Sequence, residues 1–156
     1  MPRQNFNPEK EIAMTHEDAG KYALKHKGKQ VDENVRNLLQ KKADNGNITC
    51  AAAHAAAKEL DKTPEEVGIQ ADLMELRLIK CSNGLFGYEP DGKILKKGMT
   101  VSSQLAKKIE KTADNKSITC LECWEIAKSM KISKVDAASA CDSKGIKIKK
   151  CQLGAF

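Results

Sequence analysis

Aromatic side chains are scarce in this chain. One tryptophan, two tyrosines and three phenylalanines make up 4% of 156 residues. A core must therefore come mostly from Ala, Leu, Ile, Val, Met and Cys. Arginine is scarce too: Arg3, Arg36 and Arg77 stand against 24 lysines. Arginine's planar fork is the better reader of guanine and phosphate. The net charge of +6 and pI near 9.0 favour acidic partners. A charge made of lysine leaves two readings open, contact with nucleic acid and plain solvation. No apolar run approaches the roughly 18 residues of a membrane span. Met1 to Lys10 lacks the apolar stretch of an export signal. These absences predict no membrane partner and a cytoplasmic location, where six cysteines stay free thiols. There is no phosphate-cradling glycine loop, no Gly-x-Ser-x-Gly and no His-Glu-x-x-His. His16, His26 and His54 have no evident catalytic partner. Neither an enzyme nor a cofactor is expected.

What the chain does contain is itself, twice. Residues 43–50 read Ala-Asp-Asn-Gly-Asn-Ile-Thr-Cys, and 113–120 read Ala-Asp-Asn-Lys-Ser-Ile-Thr-Cys. Lys80-Cys81 with Gly84 and Phe86 is answered by Lys150-Cys151 with Gly154 and Phe156. Overlaying 35–86 on 105–156 without a gap gives about 14 identities. Self-similarity at one fixed offset means one structural unit used twice. A unit of roughly 50 residues is near the lower limit for folding alone, so the copies are expected to lean on each other or on the N-terminal segment. A residue kept in both copies serves the shared unit. One present in a single copy is packing variation or specialised function.

Within a copy, Val35 to Ala43 has helical spacing and Asp44-Asn45-Gly46-Asn47 ends it. Ile48-Thr49-Cys50 is short and β-favouring, and the alanine-rich run to Leu60 is strongly helical. Thr63-Pro64-Glu65-Glu66 predicts a capped helix to about Leu76, with Glu66 closing a capping box. Arg77–Cys81 and Leu85–Tyr88 predict a hairpin around Ser82-Asn83-Gly84. Ser103–Thr112, Ser117–Cys120, Leu121–Met130, Ser133–Lys144 and Ile146–Cys151 repeat the order. Thr15 with Asp18 predicts a helix through about His26. The expected division is an N-terminal arm and helix (1–31), a first repeat (32–88), a basic linker (89–101) and a second repeat (102–156).

The segments Ala57 to Val67 and Ala127 to Ala137, each followed by β-favouring residues, resemble the winged helix-turn-helix module. Asp61 and Lys131 stand where that family commonly has glycine. The chain is also similar to small bacterial proteins made of two such units ending in Cys-x-x-Gly-x-Phe, a group that includes regulators of the molybdate-responsive type. The resemblance implies a mainly α fold with small β-wings, two tandem winged-helix-like repeats and an N-terminal helix. It further implies a DNA-binding transcriptional regulator or accessory protein, in which the third helix of a unit reads the major groove and the wing touches phosphate. The first unit's third helix carries Glu65, Glu66, Asp72 and Glu75, which phosphates repel. The second unit is the better candidate for duplex DNA, through Lys134, Ser139, Ser143, Lys144, Lys147, Lys149 and Lys150, with Lys107 and Lys108 on the preceding helix. Lys111, Lys93, Lys96 and Lys97 extend the track. The alternative is a winged-helix protein-interaction module docking a partner through Glu65 and Glu66, since fold does not fix function.

The cysteines admit a bland and a sharp reading. Cys50 and Cys81 recur as Cys120 and Cys151, either as small packed residues at a strand contact or as a redox-sensitive pair or half of a metal site. Cys120, Cys123, Cys141 and Cys151 lack the second short knuckle of common zinc sites. Cys123 and Cys141 also align with Ala53 and Ala71. No metal is expected. His54 aligns with Trp124, which predicts a slot for a flat ring rather than a ligand.

Overall fold

The computed structural model describes residues 21–156. After one 3-10 turn at Tyr22–Lys25, α1 (Glu33–Lys42) starts on Asp32, whose carboxylate accepts the N–H groups of Asn34 and Val35 at 3.0 and 3.3 Å. Val35 and Leu39, one turn apart, turn inward. β1 (Asn47–Thr49) buries Ile48, and Thr49 caps α2 (Cys50–Glu59) by accepting from Ala52 N–H at 3.1 Å. The inward face of α2 is Cys50, Ala53, Ala56 and Ala57. Such small side chains let α3 (Pro64–Leu73) approach closely and present Val67 and Ala71. The capping box of α3 forms as its sequence predicts. Glu66 N–H donates to Thr63 Oγ1 at 3.1 Å, and Thr63 N–H donates to Glu66 Oε2 at 2.7 Å. β2 (Arg77–Ile79) closes the unit.

The same order returns seventy residues later as α4 (Ser103–Thr112), β3 (Ser117–Thr119), α5 (Cys120–Met130), α6 (Lys134–Ser143) and β4 (Lys147–Lys149). Asp61 and Lys131, in the two α-to-α turns, both adopt left-handed backbone, with φ of 53° and 56°. The fold is mainly helical with small two-stranded sheets.

Two expectations change. The strands do not form a hairpin. β1 pairs with β2 and β3 with β4, and both pairs are parallel. Leu85–Tyr88 makes no strand. Gly84 (φ 79°) and Gly87 (φ 83°) fold the chain back into a tight loop, held by Lys80 N–H to Gly87 O and Cys81 N–H to Phe86 O. A Cβ at Gly87 would lie 2.4 Å from Lys80 N. The other change is at the N-terminus. The helix expected from Thr15 lies mostly outside the described residues, and the part within them is only the 3-10 turn.

The two copies are interlocked. The end loop of each packs on the third helix of the other. Leu153, 2% exposed, belongs to the core formed by Val35, Leu39, Ile48, Val67 and Ala71 of the first copy. Its carbonyl lies so close to α3 that a Cβ on Gly68 would sit 1.9 Å from the oxygen. Conversely, Gly84 approaches Val135 of α6, and buried Asn83 donates to Cys120 Sγ at 3.3 Å. Counterparts also touch each other. His54 and Trp124 have ring centroids 4.4 Å apart, and Phe86 meets Phe156 edge-on at 6.0 Å. A residue that meets its own counterpart lies at a twofold relation, as in a symmetric dimer. The segment between the copies joins this packing. Ile94 N–H donates to Gly84 O, while Leu95, Met99 and Val101 pack on the second core.

Candidate nucleic-acid interface

The interlocking decides which surfaces remain available. Ala137 to Cys141 of α6 are all buried. Ser139 is fully enclosed, and its hydroxyl accepts Lys96 N–H at 2.8 Å. Ser139 therefore leaves the set of candidate DNA contacts. Its polar side chain sits inside a run of small residues that packs as a core face. Lys134 is half-buried with its ammonium 3.9 Å from the Trp124 ring centroid, a cation–π contact. Asp136 pairs with Lys96 at 2.5 Å, and that ammonium holds its carboxyl below the usual range. α6 thus has no free face to lay in a groove.

α3 is covered as well. His26 Nε2 lies 2.7 Å from Asp72 Oδ2, and Lys25 Nζ bridges Asp72 at 3.4 Å and Gly154 O at 2.9 Å. Burial pushes the Asp72 carboxyl up against the hydrogen bond of His26 and the charge of Lys25. Glu75 accepts Tyr22 and Ala23 N–H at 2.9 and 3.0 Å. Glu65 and Glu66 are exposed, but Glu66 is committed to its cap, whose hydrogen bonds from Thr63 lower its carboxyl.

The remaining candidates share the exposed side of the second copy. Lys147 and Lys149 point outward on either side of half-buried Ile148 on β4. Lys144 reaches Glu110 of α4 at 3.9 Å, which brings the lysines of α4 beside the end of α6. Lys107, Lys108 and Lys111 are exposed on that helix, as are Ser143 and Lys150. Lys116 is a member that sequence reasoning missed. Its carbonyl accepts Lys147 N–H at 2.9 Å, placing it beside β4. The available signal was its counterpart, Gly46.

The asymmetry between the copies is marked. Residues 103–156 hold eleven lysines against six carboxylates, whereas 33–86 hold seven bases against eight. Lys116, Lys144, Lys147, Lys149 and Lys150 face Gly46, Met74, Arg77, Ile79 and Lys80 at the matching positions. These five lysines are exposed, so internal packing does not account for them.

No disulfide joins any of the six cysteines, and all but Cys151 are buried. Burial pushes the Cys81 thiol up to about 11, with a further push from the neighbouring Cys50 and Cys120 thiols. Cys120 Sγ accepts from Asn83 and, at 3.5 Å, from Gln152. Among the described residues no three His, Cys, Asp or Glu side chains are placed to hold a metal ion. None of the described helices is long and apolar enough to cross a membrane. No family model matches the chain, no curated protein is detectably similar to it, and no solved structure matches it.

Proposed function

We propose that the second repeat binds duplex DNA through phosphate contacts, and that the protein is a DNA-binding accessory or regulatory protein with little base reading of its own. The observation that carries this reading is the exposed lysine set of the second copy, in which Lys116, Lys144 and Lys149 stand where the first copy has the uncharged Gly46, Met74 and Ile79. Alternate strand residues recur about every 7 Å. Lys147 and Lys149, on the same face of β4, can therefore each address a backbone phosphate. Lys116, Lys144 and Lys150 extend the positive surface around them. Base recognition in the winged-helix manner would need a third helix with a free face, and both third helices are covered. Affinity should therefore depend on charge and hardly on sequence.

The test is fluorescence anisotropy with duplexes of unrelated sequence across a salt series. With about five phosphates engaged, log K should fall with log[salt] at a slope near −4 to −5. Reversing Lys144, Lys147 and Lys149 to Glu should abolish binding. Reversing Arg36, Lys41 and Lys58, exposed residues of the first copy, makes the same change in net charge and should leave most of it. Equal loss in both triple variants would reduce the effect to net charge and refute the interface. So would no binding by the parent at low salt.

A further inference from the structure

We infer that the groove between α5 and the start of α6 binds an amphipathic organic anion, a carboxylate or sulfonate carrying a short-chain or flat apolar body. This site is separate from the lysine surface around β4 and does not depend on the DNA reading. Its volume is about 490 Å³, within the few hundred to 1,000 Å³ of small-molecule sites. Its walls are Leu121, Trp124, Ala127 and Ile132, with Glu125, Lys128 and Lys134 at the polar edge.

Three features select the ligand class. Leu121 is 50% exposed at the start of α5. Its counterpart in the first copy is Ala51, so the shared unit does not require a large apolar residue there. The other changes run in the same direction: Trp124 replaces His54 and Ile132 replaces Lys62, enlarging the apolar wall. Finally, Lys134 in place of Pro64 makes up for the ammonium lost where Ile132 replaces Lys62, and with Glu125 in place of Ala55 the rim holds two cations, Lys128 and Lys134, against one carboxylate. An apolar floor with a net positive rim is complementary to an anion with an apolar body and repels the matching cation.

Trp124 is the sole tryptophan, so its emission reports on this groove directly. The probe is 8-anilinonaphthalene-1-sulfonate, titrated into the full chain while energy transfer from Trp124 is followed. One probe per chain is expected, displaced by octanoate and not by octylammonium. Lys128→Glu and Leu121→Glu should each weaken binding about tenfold, with circular dichroism and melting unchanged, because both residues are exposed. If either variant melts differently from the parent, Lys128→Gln takes its place. The inference is overturned by non-saturable binding, by equal displacement with octylammonium, or by variants that bind as tightly as the parent. It is also overturned if sedimentation shows a dimer that Leu121→Glu dissociates, because the groove would then seat a second copy.

Discussion

Replacing Gly68 by alanine puts two known effects in opposition. Gly68 lies inside α3, where exchange to alanine ordinarily stabilises a helix by about 1 kcal/mol. Here the new Cβ would sit 1.9 Å from Leu153 O and 2.6 Å from Leu153 C. Both are backbone atoms, so no side-chain rotation relieves the clash. Either α3 and the C-terminal loop separate, or the loop leaves. Strain from overpacking costs about 1–3 kcal/mol. Expelling Leu153 would reopen a core space, a loss of about 2–5 kcal/mol by comparison with leucine-to-alanine changes. The net expectation is a loss of about 1–3 kcal/mol, or a melting temperature roughly 3–10 °C lower for a chain of this size. Urea unfolding followed by circular dichroism and by Trp124 emission measures it. In a chain ending at Lys150 the clash is gone, and the same substitution should raise stability by the helix effect alone. Equal or greater stability of Gly68→Ala in the full chain would refute the docking of this loop on α3.

Other outcomes follow from the backbone and the charges. Burial, then the charge of Lys134, lowers His54 from the ordinary 6.5 to about 4. The unfolded chain therefore takes up the proton first as pH falls. This contribution is complete above pH 6.5 and is lost between 6.5 and 4, amounting to roughly 2–3 kcal/mol after allowance for partial exposure. His54→Phe should lose less stability than the parent across that window, and parallel curves would show that His54 is not the group involved. Lys131→Gly removes the left-handed strain at the end of α5 and should gain about 0.5–1 kcal/mol in urea unfolding. Asp61→Gly should gain less, because Asp tolerates that conformation better than Lys. A loss at Lys131 would count against its φ of 56°.

Local signals in the sequence were legible because local chemistry causes them. Thr63, Pro64 and Glu66 specify the start of α3 through three adjacent residues, and the box forms. Ser133 caps α6 in the same way, accepting Asp136 N–H at 3.0 Å. The hairpin was misread. Ser82-Asn83-Gly84 between β-favouring residues looks like a hairpin, but β2 pairs with β1 across two intervening helices. The exchange of end loops was not legible at all. Each copy offers a similar small-residue helix face, Gly68 in one and Ala138 in the other, so the sequence does not say on which face a loop will close. Much of the lysine surface was readable from charge, but Lys116 was missed, Lys134 lies half-buried on Trp124, and Ser139 is enclosed. Whether a serine in a small-residue run faces water depends on what packs over it, and the residues over it belong to the segment joining the copies.

The interlocked loops also bear on how a lopsided charge could arise. A symmetric pair of separate chains shows every substitution twice, so a lysine gained at one edge appears at the opposite edge too. Joining the copies in one polypeptide removes that obligation. The C-terminal loop still completes its neighbour's core, which keeps the buried positions of both halves under common selection. Exposed positions carry no such tie. One half can then be basic and carry an apolar groove without the other doing so.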